Sequence, residues 1–278
     1  MTNLSFNKTR IAPTPSGYLH MGNAASFLMT SALARETNAK LLLRIDDMDK
    51  ERVRKEYVED IFTTLRFLGI NWQEGPGNYN EFAERYSQAH RMKLYEESLQ
   101  QLREEKNVFA CRCSRMQLQN GNECGCREKD LSLDFPNTSW RLVTDEALPL
   151  TVLSMNGICI TASLPFSMKS FVVRKKDGLP SYQLSSLVDD DYFGVDAIVR
   201  GQDLWESTLA QQYLALKLDK KFFREVVFHH HPLLMDAQSG NKLSKSAGAS
   251  SVRHLEGEGT TREELIKLID ELMPGWIV

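Results

Sequence analysis

Two short segments hold residues whose types and spacing suit phosphate chemistry. In Pro15-Ser16-Gly17-Tyr18-Leu19-His20-Met21-Gly22-Asn23, a glycine-containing turn delivers a histidine to the point where an apolar periodicity begins. A helix starting there would offer unpaired backbone N–H groups and a positive dipole end to an anion. In Asn241-Lys242-Leu243-Ser244-Lys245-Ser246, two lysines stand three residues apart in a small polar loop. Such a pair suits a phosphate whose charge grows during reaction. Taken singly, His20 reads equally as a helix cap and the lysines as a solvated loop. Together, in this order, they read as two halves of a nucleotide-activating site.

A second constellation is made of thiols. Cys111-Arg112-Cys113 and Cys124-Gly125-Cys126 form two Cys-x-Cys turns. Four thiolates on two tight turns suit tetrahedral Zn²⁺ in a closed, structural site. Cys159 stands apart in an apolar strand-like run and is expected in the core. His229-His230-His231 is read as part of a strand, because three consecutive side chains point in divergent directions. Arg112, Arg115, Arg127 and Lys129 beside the cysteines read either as an RNA-phosphate patch or as a solvated face diluted by Glu123, Glu128 and Asp130.

Alternating elements surround these residues. Arg10 to Ala12 reads as a short strand entering the Pro-rich turn. Ala24, Ala25, Leu28, Ala32 and Leu33 recur at helical spacing after Gly22. Leu41 to Ile45 has the apolar run of a buried parallel strand. Val58, Ile61, Phe62, Leu65 and Leu68 mark a helix over 53–68, and a third, charged helix is expected over 82–102. The rhythm changes between Val108 and Met168, with strand-like stretches at 140–143 and 157–161. It returns with strands at 171–174 and 197–200, a helix over 208–218 and another over 263–272. The predicted fold is α/β, a Rossmann-type parallel sheet in two halves, 1–107 and 169–248. A zinc-bearing α+β insertion over 108–168 interrupts it, and a short helical segment, 249–278, follows.

Composition narrows the class. The chain has 278 residues, 42% hydrophobic and 26% charged, typical of a globular protein with a proper core. Its formal net charge of −3 argues against broad affinity for nucleic acid while allowing a local basic patch. Five cysteines, four of them clustered, do not resemble an extracellular disulfide framework. No apolar run matches a signal peptide or membrane span, so a cytoplasmic protein without membrane contact is expected.

The first segment, His20-Met21-Gly22-Asn23, resembles the HIGH motif of class I aminoacyl-tRNA synthetases, and Lys242-Leu243-Ser244-Lys245-Ser246 resembles their KMSKS loop. Arg10-Ile11-Ala12-Pro13-Thr14-Pro15-Ser16-Gly17 is similar to the opening strand and turn of the glutamyl group. Leu43-Arg44-Ile45-Asp46-Asp47-Met48-Asp49, Pro180-Ser181-Tyr182-Gln183-Leu184, Val188-Asp189-Asp190 and Ile198-Val199-Arg200-Gly201-Gln202-Asp203 match further blocks of that group. The short stretch after Ser246, with no room for an anticodon-binding region, resembles the glutamyl-queuosine tRNA(Asp) synthetase subgroup.

This resemblance implies the class I synthetase catalytic fold and an ATP-dependent ligase. Glutamate would be activated as an adenylate and passed to the queuosine base of tRNA(Asp), by an enzyme expected to be a monomer. His20, Lys242 and Lys245 would serve the chemistry, with His20, Gly22 and Lys245 holding ATP and its Mg²⁺. Arg10, Ala12, Thr14, Asp46, Tyr182 and Arg200 would surround the amino acid. Arginine suits a planar carboxylate through paired hydrogen bonds. Relatives also carry a zinc knuckle near the four cysteines. Asp46 and Thr14 depart from the usual Glu and Ser, and Asp46 is one methylene shorter. Alternatives are a minimal glutamyl-tRNA synthetase, an adenylate-forming ligase with another acceptor, and a non-enzymatic tRNA-binding paralogue.

Overall fold

The computed structural model describes residues 6–114, 116–118, 124–234 and 251–273. Strand β1 (Lys8–Ile11) leads through the His20 turn into helix α1 (Met21–Glu36), and β2 (Lys40–Leu43) returns beside β1. Helix α2 (Lys55–Phe67) follows, then the single turn α3 (Tyr79–Glu81) and α4 (Met92–Glu104). Strands β3 (Val108–Cys111), β4 (Ser139–Leu142), β5 (Pro149–Ser154), β6 (Cys159–Ser163) and β7 (Val172–Arg174) come next. Helix α5 (Tyr182–Tyr192), β8 (Ala197–Gly201), α6 (Trp205–Lys217), α7 (Lys221–Arg224), β9 (Val227–His231), α8 (Val252–Gly257) and α9 (Arg262–Leu272) complete the order.

The main sheet runs β2-β1-β8-β9-β5-β6, with every pair parallel except the β5–β6 hairpin. Its strands are covered on both faces, and alternate side chains enter different cores. Leu41, Leu43 and Val199 join Ile11, Leu28, Ile61 and Leu65, whereas Leu42, Ile198 and Phe228 join Leu184, Leu187, Leu209 and Tyr213. A smaller antiparallel sheet, β3-β4-β7, carries the first cysteine pair at the end of β3.

Three local expectations change. The hairpin β5–β6, read from sequence within the 108–168 stretch, extends the main sheet through β9. The helix expected over 82–102 is broken: a π turn over Phe82–Tyr86 ends at Ser87, a 3₁₀ turn spans Gln88–Arg91, and only then does α4 begin. The break is fixed by Asp47, which accepts from the Ser87 hydroxyl at 2.5 Å and the Gln88 N–H at 2.7 Å. Cys159 is exposed rather than in the core, because β6 forms the outer edge of the sheet. No helix among the described residues is long and apolar enough to cross a membrane.

Candidate active site

Strand ends and helix starts converge on one cavity of about 330 Å³. Arg10, Ala12, Thr14, His20, Gly22, Asp46, Tyr182 and Arg200 all line it. Lys242 and Lys245 lie outside the described residues. The described chain flanking them meets the same region: Leu234 lines the cavity, and Ser251 is paired with His20.

His20 caps α1. Its Nδ1 accepts the Gly22 N–H at 3.0 Å, and its own N–H donates to Asn23 Oδ1 at 3.1 Å. With Nδ1 accepting, the neutral ring carries its proton on Nε2, which makes that atom a donor. A Cβ at Gly22 would stand 2.9 Å from His20 Cε1, so a larger residue there would displace the capping ring. The turn is tied down by Asp60 of α2, which accepts the Leu19 N–H at 3.0 Å.

Arg200 has an unusual setting for a buried cation. Its Nη1 donates to Thr208 Oγ1 at 3.3 Å and to Gln211 Oε1 at 2.9 Å, both neutral acceptors. Its Cζ lies 5.3 Å from the Phe228 ring centroid. Nε and Nη2 are buried with no hydrogen-bond partner among the described residues. Burial, with the charge of Arg10 nearby, pulls Arg200 down to about 10. A buried charge without hydrogen-bonded compensation is costly, and an incoming carboxylate removes that cost. Nε and Nη2 form one edge of the guanidinium fork and match the two oxygens of a carboxylate.

The other cations are already matched. Arg10 Nε donates to Asp190 Oδ1 at 3.2 Å and its Nη1 to the Val199 carbonyl at 3.2 Å. Arg44 Nη1 reaches the same Asp190 oxygen at 2.7 Å, while Nε and Nη2 hold both oxygens of Asp46 at 2.7 and 3.1 Å. Burial opposes the Arg44 charge, but Asp190, Asp46 and Asp189 outweigh it and raise its pKa well above the usual value. Burial pushes the Asp46 carboxyl up, against the pull of Arg44. Behind them Asp189 accepts from Arg91 Nε at 2.7 Å, Arg91 Nη2 at 2.9 Å, Tyr95 Oη at 2.6 Å and Gln88 Nε2 at 3.0 Å.

Sequence reasoning assigned no role to Arg44, Asp189, Asp190, Arg91 or Tyr95. The available signal was charge inside apolar runs, in Leu41-Leu42-Leu43-Arg44-Ile45-Asp46 and Ser186-Leu187-Val188-Asp189-Asp190. His231 also lines the cavity, and its Nδ1 lies 2.7 Å from the Pro232 carbonyl.

A second cavity, of about 630 Å³, shares Thr14, Asp46 and Tyr182 with the first. Tyr182, at the start of α5 and 40% exposed, stands between them. Arg52, Arg141, Lys175 and Lys176 line this second space together with Asp46 and Asp49, and Asp49 is paired with Arg52. Cys113 and Ser114 also line it.

The thiols of Cys111, Cys113, Cys124 and Cys126 gather with all four sulfurs within 4.8 Å of one another. Three of the sulfur pairs lie at 3.3, 3.5 and 3.8 Å. Sulfurs around one tetrahedral Zn²⁺ at ~2.3 Å would stand about 3.8 Å apart, so the four residues fit that ion without an open coordination position. The cluster is tied to the second cavity: Lys176 Nζ donates to the Arg112 carbonyl at 2.8 Å, and the Ser139 hydroxyl donates to the Cys111 carbonyl at 3.2 Å. Arg115 and Glu123 lie outside the described residues.

The model of the catalytic domain of class I tRNA synthetases (E and Q) matches residues 7–147 and 155–276. A glutamate–tRNA ligase 2 of Nitrosococcus oceani is 33% identical over 287 residues, covering 95% of this chain and 59% of its own length. A glutamyl-Q tRNA(Asp) synthetase of Symbiobacterium thermophilum is 32% identical over 274 residues, covering 92% and 83%. One from a Synechococcus species is 35% identical over 256 residues, covering 90% and 77%. Among solved structures, a glutamate tRNA ligase of Elizabethkingia meningosepticum in complex with its amino acid superposes with a TM-score of 0.69 at 20% identity. That match covers 87% of this chain and 52% of the other, and it speaks to the fold alone.

Proposed function

The chain belongs to the catalytic-domain family of class I Glu and Gln tRNA synthetases, and from that premise we propose that it activates glutamate with ATP and transfers it to the queuosine base of tRNA(Asp). The observation that carries the first half is the buried edge of Arg200, whose Nε and Nη2 have no partner among the described residues. A side-chain carboxylate would seat there, beside Arg10 and the Tyr182 hydroxyl. The ammonium group would face Asp46, whose carboxylate is held in place by Arg44. Neutral analogues would leave Arg200 uncompensated, which is how such a site discriminates.

In the first step an oxygen of the glutamate α-carboxylate attacks the α-phosphorus of ATP. The new P–O bond forms the mixed anhydride as the bond to the β-phosphate breaks, and pyrophosphate leaves. Little covalent work falls to the protein, so positioning and charge neutralisation dominate. His20 Nε2–H donates to the phosphates from the start of α1. Lys242 and Lys245 offset the charge that builds on the α-phosphate and on pyrophosphate. Mg²⁺ would travel with ATP and neutralise phosphate charge.

In the second step an acceptor hydroxyl attacks the carbonyl carbon, forming an ester and releasing AMP. The second cavity, joined to the first at Tyr182 and walled by Arg52, Arg141, Lys175 and Lys176, supports an anionic acceptor such as a nucleotide of RNA. Likeness to the glutamyl-Q proteins supports the queuosine base as its identity. The second reading, charging at the 3′ end of tRNA(Glu), is favoured by the equally similar glutamate–tRNA ligase. Zn²⁺ at the four thiols would hold one wall of this cavity and take no part in the reaction.

Labelled glutamate, ATP and total tRNA with or without queuosine separate these readings. The proposal expects tRNA-independent ATP–pyrophosphate exchange and a glutamyl ester only on queuosine-containing tRNA. Equal charging of unmodified tRNA(Glu) at its 3′ end would replace the queuosine reading with the second one.

A further inference from the structure

Arg200 and His230 are directly opposed in register on β8 and β9, and Thr208 of α6 stands between their polar ends. The Thr208 hydroxyl lies 2.8 Å from His230 Nε2 and 3.2 Å from the Leu204 carbonyl, while its oxygen receives Arg200 Nη1 at 3.3 Å. A hydroxyl has one proton to give. Donated to His230 Nε2, the nearer of its two partners, that proton leaves the oxygen lone pairs for Arg200. The imidazole is fixed in turn: it stacks on Phe228 with centroids 5.9 Å apart at 14°, and meets Trp205 edge-on at 5.0 Å and 79°. Phe228 is the same ring that lies under the Arg200 guanidinium.

From this geometry we infer that His230, acting through Thr208, is a positioning residue that sets the affinity of the site for the substrate's side-chain carboxylate. Nη1 of Arg200 is held by Thr208 and Gln211, which fixes the orientation of the guanidinium that lines the cavity. A cationic imidazole would compete with Arg200 for the same oxygen, as a donor beside a donor. Burial first, and the Arg200 charge next, hold His230 neutral by lowering it to about 4. The partner atoms are neutral throughout, which spares Arg200 an internal carboxylate and keeps its charge available to a ligand. Neither Thr208 nor His230 lines the cavity, so the relay acts on it through Arg200.

This inference rests on glutamate being the amino acid, and the test separates the two. ATP–pyrophosphate exchange would be measured for the wild type, His230→Phe, Thr208→Val and Thr208→Ser, with KM for glutamate and for ATP determined separately. His230→Phe keeps an aromatic ring against Phe228 and Trp205 while removing the acceptor. Loss of one neutral hydrogen bond predicts a rise of about tenfold in glutamate KM for His230→Phe and Thr208→Val. The ATP KM and kcat should stay near wild type, and Thr208→Ser should retain wild-type glutamate KM. Should His230→Phe fail to fold, the two Thr208 variants decide by the same criterion. Unchanged glutamate KM in the folded variants, or equal damage to ATP KM and kcat, would overturn the role of His230. A wild type without glutamate-dependent exchange would overturn the glutamate reading, and this role with it.

Discussion

Arg44 grips both oxygens of Asp46 through its Nε and Nη2 atoms, at 2.7 and 3.1 Å. Arg91 holds Asp189 in the same way, at 2.7 and 2.9 Å. Arg200 lines the cavity, and the same edge of its guanidinium carries no carboxylate among the described residues. The fold therefore contains two finished examples of the pair that a ligand carboxylate would complete at the third arginine.

Substituting Arg200 tests that relationship. Arg200→Lys keeps the charge but loses the planar fork, so it should behave more like Arg200→Ala than like wild type. Truncating one partner of a buried hydrogen-bonded charge pair costs roughly 2–5 kcal/mol. Glutamate-dependent exchange should accordingly fall by about two orders of magnitude or more in kcat/KM. Preference for glutamate over glutamine should vanish with it. A lysine variant within a few-fold of wild type would sink the fork.

Lys245→Ala addresses the chemical step. Loss of a donor aimed at transition-state charge typically costs ~3 kcal/mol, or about a hundredfold in kcat. The glutamate KM should move little. Exchange at near wild-type rate would remove the Lys242 to Ser246 segment from the mechanism.

Asp189 predicts a stability effect distinct from catalysis. It is fully buried and accepts from Arg91, Tyr95 and Gln88. Although burial works against it, the Arg91 hydrogen bonds and the Arg44 and Arg91 charges hold its carboxyl below the usual range. Asp189→Ala leaves Arg91 buried without its carboxylate, and breaking such a pair costs about 3–5 kcal/mol. Urea denaturation should register that loss in the midpoint; a change below 1 kcal/mol, on the order expected of an exposed pair, would contradict it.

Metal content tests the thiol cluster. Purified protein should carry one Zn²⁺ per chain, and Cys113→Ser should lower that stoichiometry. Because Cys113 and Ser114 also line the second cavity, transfer to tRNA should suffer while ATP–pyrophosphate exchange persists. Zinc-free protein with full transfer activity would refute the link.

The three histidines of β9 predict a pH dependence of stability. Burial, then the Arg200 charge, takes His230 from 6.5 to about 4, and burial also lowers His229 and His231. Between about pH 4 and 6.5 the unfolded chain binds more protons than the folded one, so stability rises with pH across this window and levels off above it. Urea midpoints should be lower at pH 5 than at pH 7.5. His230→Phe should narrow that difference, and an unchanged pH slope would show that His230 does not contribute.

Much of the cavity was legible because its residues fall in short segments with strong local signals. The Pro-rich turn, the Gly22 helix start and the Leu43–Asp49 run are local features, and they bring His20, Thr14 and Asp46 to one place. The ion network was not legible. Arg91 and Asp189 are 98 positions apart, Arg10 and Asp190 are 180 apart, and no periodicity links such partners. Strand pairing is equally non-local, so β6 reads as a strand from sequence without revealing that β9, through β5, is its route into the main sheet. Its edge position also explains Cys159: an apolar run predicts burial only where a neighbour covers it. The break at Ser87 escaped because helical spacing continues across it, while Asp47, which fixes it, lies 40 positions earlier.

The placement of β1 between β2 and β8 has a consequence for biosynthesis. Arg10 donates to the Val199 carbonyl across 189 positions of chain. A growing polypeptide thus carries Arg10, His20 and Arg44 well before α5 and β8 have been translated. Those two cations, destined for burial beside Asp190, must stay hydrated until then, and long-range closure of this kind is slow. The pocket comes into existence only when translation has passed β9, so a ribosome-stalled fragment ending earlier would hold the histidine turn yet possess no amino-acid site.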